Sequence, residues 1–324
     1  MRRRIPRPVK AIARAVLFPW RRAVSMQDRW KRGQIYGWRQ PSWWPERLAT
    51  AWPGPRSPHD NKRVVVFVGA QRYEFAPATL GRYRGHVYQG ALRPDAADVG
   101  ARLARMQLPT DAARTLAIVS SFEGGFDAIQ TYDRGKFSWG FIQFALTGGL
   151  PRLLDDLKRL APALFAEHFV AAGLDVGTGG IVVQRNGRTL AGRRAHDRLH
   201  DDPSCWLPFI NASRLSQVQD IQVANAYTYY YAHPLKTTVT VGSTDITLGT
   251  LFADSEHGRT VVCDRAVNRG VGHTTVLFRT AVARSRARHA GDAAAVLDCV
   301  RALEAADGAR LDAIASQLAA GADA

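Results

Sequence analysis

Cysteine is scarce in this chain: three residues in 324, Cys205, Cys263 and Cys299, all far apart. Their spacing builds neither a disulfide framework nor a zinc site, so they read as buried or inert thiols that leave the redox compartment open. Glu256, His257 and His273 lie near one another without metal-ligand spacing, so no metal and no cofactor is expected. No stretch stays apolar long enough to cross a membrane as a helix. There is no internal repeat, and neither a helix-turn-helix nor a zinc-finger pattern. What is present is ordinary for a globular chain, 46% hydrophobic and 22% charged, in a length sufficient for one large domain or two modest ones.

Acidic residues are also few, 28 against 44 Lys and Arg, for a net charge of +16. The surplus is local. Residues 1–63 hold 16 of the basic residues and 3 of the acidic ones, a balance of +13 that leaves +3 for the rest. The same segment carries Trp20, Trp30, Trp38, Trp43, Trp44 and Trp52, and prolines at 41, 45, 53, 55 and 58 break any continuous helix. Arginine with interleaved tryptophan suits an anionic surface: a membrane face, an acidic wall polymer or nucleic acid. The alternative is a solvated tail whose tryptophans pack back onto the domain. The Arg-rich opening and apolar patch at 11–18 are loosely like a signal peptide, but Arg14 interrupts the patch and no small-residue cleavage site follows.

Further on, the hydrophobic pattern predicts mixed structure. Val64 to Val68 is a β-branched run closed by Gly69, and 71–88 holds further short strands. Thr110 and Asp111 offer an N-cap to a helix over 112–122, and Gly124-Gly125 stops it after Glu123. Residues 126–144 read as hairpin-like sheet, 150–172 as a helix, and 181–190 as a hairpin with an Asn186-Gly187 turn. Helices are expected over 213–232, 245–252, 260–269 and 274–283, and in a tail from Asp292. The division that follows is a basic segment 1–61, a β-containing lead-in 62–109, a main domain 110–290 with an inserted hairpin near 176–195, and a helical tail 291–324. The fold class is α+β.

The chemistry is concentrated in 120–144, SSFEGGFDAIQTYDRGKFSWGFIQF. A glutamate ends a helix, glycines release it, and a glycine-bearing sheet segment follows. Glycosidic cleavage needs a proton donor and a group that holds water or charge near the oxocarbenium-like centre. A carboxyl beside apolar residues has a raised pKa and can be that donor, with Phe122, Phe126 and Trp139 as candidate surroundings. Asp133, ten positions on, can fold back towards Glu123, and Ser138 can bond the same water. Asp127 is a rival to Asp133, and Tyr-Asp-Arg-Gly is also ordinary turn chemistry.

At these residues the chain resembles the lysozyme-like superfamily of glycoside hydrolases. Glu123, Asp133, Ser138 and Gly140 follow the order of the phage-type lysozymes, in which a helix-terminal Glu precedes a hairpin Asp, a Thr and glycines. The resemblance implies a mainly helical domain with a small sheet beside the cleft. It also implies Glu123 as general acid, Asp133 with Ser138 positioning water, and inversion at the anomeric carbon. Ser138 stands where Thr is usual. Gly140-Phe141-Ile142-Gln143 looks instead like the Gly-Leu-Met-Gln element of soluble lytic transglycosylases, which need no second carboxylate, and chitosanase-like members carry a similar stretch. Asp264-Arg265-Ala266-Val267-Asn268-Arg269-Gly270 looks like a helix ending of several lysozyme-like families, with Asn268 and Gly270 closing the helix and Asp264 one turn earlier on the same face.

The expected function is cleavage of β-1,4 linkages in peptidoglycan or a related amino-sugar polymer. Gly140, Gln143, Trp139 and Asn268 are the expected substrate-binding residues, and Tyr227 to Tyr231 offer further aromatic faces. Such an enzyme would work in the periplasm or at the cell wall, its basic segment adsorbing to the anionic surface. The alternatives are a non-catalytic glycan-binding module and, more remotely, a nucleic-acid-binding protein drawn by the +13 segment.

Overall fold

The computed structural model describes residues 63–68, 71–185, 188–287 and 292–320. The basic segment 1–61 and the Asn186-Gly187 turn lie outside the described residues. The chain is α+β. Three strands open it, β1 (Val64–Val68), β2 (Gln71–Leu80) and β3 (Tyr83–Tyr88), joined as an antiparallel meander. Helix α1 (Ala96–Arg105) follows, its N-terminus capped by the Asp95 carboxylate accepting from the Asp98 amide at 2.8 Å. A 3₁₀ turn over Thr110–Ala112 leads into α2 (Ala113–Glu123). The expected side-chain cap from Thr110 and Asp111 is not made. Both residues are spent in the 3₁₀ turn, and the Asp111 carboxylate instead accepts from the Tyr231 hydroxyl at 3.1 Å.

After α2 come three two-residue strands, β4 (Ile129–Gln130), β5 (Ser138–Trp139) and β6 (Phe144–Ala145). They extend the first meander into one six-stranded sheet in sequential order. The seam is Val87 opposite Gln130 and Tyr88 opposite Ile129. The expected lead-in therefore shares a sheet with the segment that follows Glu123.

The helix expected over 150–172 is broken. Helix α3 (Leu150–Leu160) ends at Ala161, which leaves helical geometry because Pro162 follows it. Helix α4 (Pro162–Phe165) continues through a π-helical turn, Ala166–Val170. The hairpin near 181–190 is present as β8 (Gly180–Arg185) and β9 (Arg188–Ala191), with β7 (Leu174–Gly177) as a third strand. Next are α5 (Arg193–Asp201), α6 (Leu207–Ala212) and α7 (Ser216–Ala226). A π-helical turn over Tyr227–Ala232 and α8 (His233–Leu235) then carry the helix on.

Residues 245–252 are not one helix. Strand β10 (Thr238–Val241) pairs with β11 (Thr244–Thr247), and only α9 (Leu248–Leu251) is helical. Alternation decides this: Val239 and Val241 point into the core while the threonines between them face out, a period of two. Helices α10 (Glu256–Arg269), α11 (Val271–Ser285), α12 (Ala293–Leu303) and α13 (Gly308–Ala320) complete the chain.

Two apolar cores lie on either side of α2 and α10. One gathers Phe75, Leu103, Leu116, Val119, Trp139, Phe209, Trp206 and Cys263. The other gathers Ile118, Val262, Phe252, Phe278, Val296 and Ile314. The two helices cross at Thr115 and Thr260, whose buried hydroxyls bond each other at 2.9 Å. Residues 292–320, within the 291–324 stretch expected as a helical tail, supply part of the second core, which carries α13 to the C-terminal end of α2. No helix among the described residues is long and apolar enough to cross a membrane.

Candidate active site

Glu123 is the last residue of α2, and the chain leaves it through Gly124 at φ +136°. A Cβ at Gly124 would lie 2.8 Å from the Gln89 carbonyl oxygen and 2.6 Å from the Ala128 Cβ, so glycine is needed there. Two bonds fix the exit: the Gly125 amide donates to the Gln89 carbonyl at 2.9 Å, and the Phe126 amide to the Leu92 carbonyl at 2.8 Å. The Glu123 carboxylate is thereby held at the junction of α2, α10 and α13, with its side chain 12% exposed.

Its partner there is Arg310 of α13. Arg310 Nη2 donates to Glu123 Oε1 at 2.6 Å, Nε donates to Asp264 Oδ1 at 2.8 Å, and the guanidinium lies 4.8 Å from the Phe122 ring centroid. Asp264 is fully buried and is held on its other oxygen by Arg265, at 2.6 Å and 3.0 Å. Arg265, fully buried itself, also reaches Glu304 at 3.0 Å and Asp307 at 2.5 Å, and Arg269 joins the same two carboxylates. His273 bonds Glu304 at 3.1 Å.

Four carboxylates thus meet three guanidiniums, an excess of one negative charge when His273 is neutral. That excess lets one carboxyl carry a proton without leaving a guanidinium unpaired. The Glu123 pKa moves in this direction. Burial pushes it above the ordinary carboxylate value, the charge and hydrogen bond of Arg310 oppose, Asp264 pushes up, and the Asn268 amide opposes weakly.

Asp133 lies in the turn between β4 and β5. Its Oδ1 accepts from the Gly135 amide at 2.8 Å and its Oδ2 from Gln130 Nε2 at 3.0 Å. Burial pushes its pKa up against the pull of those amides. Ser138 is buried on β5. A methyl group built on Gly135 would sit 3.0 Å from Asp133 Oδ1 and 3.5 Å from Ser138 Oγ, so the two groups flank one glycine. Among the described residues no hydrogen bond joins Glu123 to Asp133. Burial raises the pKa of Tyr132, beside Asp133 in the chain, and the charges of Asp133 and then Glu123 raise it further.

Trp139 is fully buried, donates from its indole nitrogen to Ser213 Oγ at 2.8 Å, and packs against Phe169 and Phe209. It is a core residue, with no face presented to solvent. Gly140, at φ +91°, allows Gln222 Oε1 to come within 2.4 Å of where a Cβ would be, and Gln222 uses that oxygen to accept from the Phe141 amide. Gln143 donates to the Gly140 carbonyl at 2.9 Å, which makes it a buttress of this turn. Asn268, exposed on α10, donates to the Asp264 carbonyl at 3.0 Å and to Asp264 Oδ1 at 3.2 Å. Asp127 is occupied elsewhere: its Oδ1 accepts from the Ala91 and Leu92 amides at 3.0 Å, and its Oδ2 from the Tyr88 hydroxyl at 2.9 Å. Among the described residues no group of His, Cys, Asp and Glu is arranged to hold a metal ion.

Arg310, Arg265, Glu304 and Asp307 escaped the sequence reading. Arg310 is 187 residues from Glu123 in a segment patterned as a plain amphipathic helix, and only tertiary packing joins them. The Asp264–Asn268 pair was legible because it is local, one turn apart on α10. No family model, no curated protein and no solved structure matches this chain.

Proposed function

We propose that this protein is a glycan-cleaving enzyme of lysozyme-like type, acting on β-1,4 linkages of peptidoglycan with Glu123 as general acid. The observation that carries the reading is the Glu123 carboxyl itself. It is released by glycines at a helix end, withdrawn from water, and set in a cluster with one more carboxylate than guanidiniums. Arg310 occupies Oε1, so the catalytic proton resides on Oε2. It passes to the glycosidic oxygen as the bond to the anomeric carbon breaks and the leaving sugar departs as an alcohol. Water held by Asp133 and Ser138 attacks that carbon, its proton going to Asp133. Such an enzyme works in the periplasm or at the cell wall, and residues 1–61, rich in Arg and Trp, provide adsorption to an anionic surface.

A second reading, lytic transglycosylation by Glu123 alone, is favoured by one observation. Both Asp133 oxygens are already engaged within its own turn. The two readings separate in the products.

The test is mass spectrometry of soluble products from purified peptidoglycan treated with the wild type and Glu123→Gln. Reducing-end muropeptides from wild type, reduced roughly 10²–10⁴-fold in the variant, are expected. Anhydro-muropeptides would select the second reading. Full lytic activity in Glu123→Gln, or no product from wild type, would sink the assignment, the latter leaving chitosan as substrate or a binding-only module.

A further inference from the structure

A cavity of about 490 Å³ lies outside the Glu123 cluster, where β2 and β3 face the junction of α6 and α7. Arg72, Tyr73, Tyr88, Leu92, Asp127 and Arg214 line it. Its volume falls in the range of small-ligand sites. Its charge is not balanced. Glu74, beside it, is bonded by both Arg63 and Arg72. The Asp127 carboxylate is satisfied by two amides and the Tyr88 hydroxyl. Among the described residues Arg214 has no such partner. Its guanidinium lies 5.4 Å from the Tyr73 ring centroid, and among the described residues no carboxylate stands within ion-pair distance of it. The lining thus holds two guanidiniums and one carboxylate; Arg72 is paired with Glu74, the Asp127 carboxylate is already bonded, and Arg214 is left to pair with a ligand.

The wall beside it is aromatic. Tyr73 and Tyr88 meet edge to face, with ring centroids 5.6 Å apart. A planar guanidinium matches a carboxylate through two parallel hydrogen bonds, and an aromatic wall packs against the apolar face of a ring. The cavity is also close to Glu123. Asp127 is four residues further along, at most roughly 14 Å of extended backbone. The 89–92 loop, which contributes Leu92, is bonded to Gly125 and Phe126.

We propose that this cavity binds the carboxylate of an acidic sugar unit, paired with Arg214 and packed against the tyrosines. That the ligand is a sugar rests on the glycan-cleaving reading; the preference for an anion does not. The carboxylate has two possible sources, a lactyl ether on an amino sugar or a uronic acid.

Titrating the full chain with N-acetylmuramic acid, glucuronic acid and N-acetylglucosamine tests the proposal. At least one acid is expected to bind about tenfold or more tighter than the neutral sugar, the scale of a charge-assisted pair. Tighter binding of the first acid identifies the lactyl source, and of the second the uronic source. Arg214→Met should erase the preference and Arg214→Lys keep part of it. Arg214 is exposed and its guanidinium lies over the Tyr73 ring, so a melting temperature within a few degrees of wild type is expected of both variants. Equal binding of acids and neutral sugar, no binding at all, or acid affinity untouched by Arg214→Met would overturn the pocket. Glu123→Gln keeps the acid preference in this scheme. If that variant stays lytic, the enzymatic assignment fails while the pocket stands; if it is inactive and no acid preference exists, the pocket fails alone.

Discussion

Replacing Arg310 with Met removes the guanidinium between Glu123 and Asp264 while keeping a chain that covers Phe122. The cluster then holds four carboxylates and two guanidiniums. Breaking a buried ion pair from one side costs about 3–5 kcal/mol. The lower end, about 3 kcal/mol, is expected here, because the Arg310 side chain is 23% exposed and Glu123 can relieve the repulsion by taking a proton. For a chain of 324 residues that is a fall in melting temperature of roughly 4–5 °C. The pH dependence carries the sharper information. Burial already places the Glu123 pKa above its unfolded value of 4.5, and loss of Arg310 moves it further up. A carboxyl with a raised folded pKa contributes stability that is fully present below 4.5 and is lost as pH rises through the folded value. The deficit of Arg310→Met relative to wild type must therefore be larger at pH 8 than at pH 5. Urea unfolding at both pH values measures it, and a double-mutant cycle with Glu123→Gln isolates the pair. The Glu123→Gln/Arg310→Met protein should be more stable than Arg310→Met alone at pH 8. A deficit that is absent, or identical at the two pH values, would refute the charge argument. If Glu123 is the catalytic acid, the alkaline limb of the activity profile also moves to higher pH in Arg310→Met.

Asp133→Asn separates the two chemical readings: hydrolytic output should fall by two orders of magnitude or more if Asp133 activates water, whereas anhydro product formation should survive if it only clasps its turn, as quantified in the same mass spectra. Gly140→Ala forces a side chain into left-handed backbone at about 1–2 kcal/mol and drives its Cβ against Gln222 Oε1, so a total loss above about 2 kcal/mol is expected by urea titration. Asp127→Ala orphans two amides and the Tyr88 hydroxyl, each costing about 1–3 kcal/mol if water stays out, so about 3 kcal/mol or more should be lost. Amide exchange at Ala91 and Leu92 should accelerate in that variant, and unchanged protection would contradict the clasp.

What the sequence makes legible here is what a few adjacent residues can decide. Glu123 at a helix end needs only Gly124 and Gly125 after it, and the Asp264–Asn268 pair needs only one helical turn. Val182 and Val183 opposite Ala191 and Leu190 follow from alternation and a turn. The readings that changed are those in which a distant contact outweighs a local preference. Asp111 has the chemistry of an N-cap but is taken by Tyr231 from 120 residues away. Trp139 has the chemistry of a sugar-stacking face but is more stable against Phe169 and Phe209, with its N–H satisfied by Ser213. The strand ending at Thr247 and the break at Ala161 are local as well, set by β-branched alternation and by Pro162 against the helices expected over 245–252 and 150–172.

Glu123 and Arg310 differ in the same way: the glutamate is legible in the sequence and the arginine bonded to it is not. A glutamate's position can be set by two glycines, but its proton affinity depends on every charge within a few ångströms in a poorly solvated place. Here those charges come from α10, from α13 and from the 3₁₀ turn between α12 and α13 at Ala305–Asp307, elements brought together only by the second apolar core. Leu311, the residue next to Arg310, and Ile314, about one turn further on α13, are buried in that core. The packing that holds the helix therefore also fixes where the guanidinium points. A cavity made there, at Ile314 for instance, would release Arg310 without touching any carboxylate. The proton on Glu123 is in this sense set by hydrophobic packing at one remove, which no motif spanning 120–144 could encode.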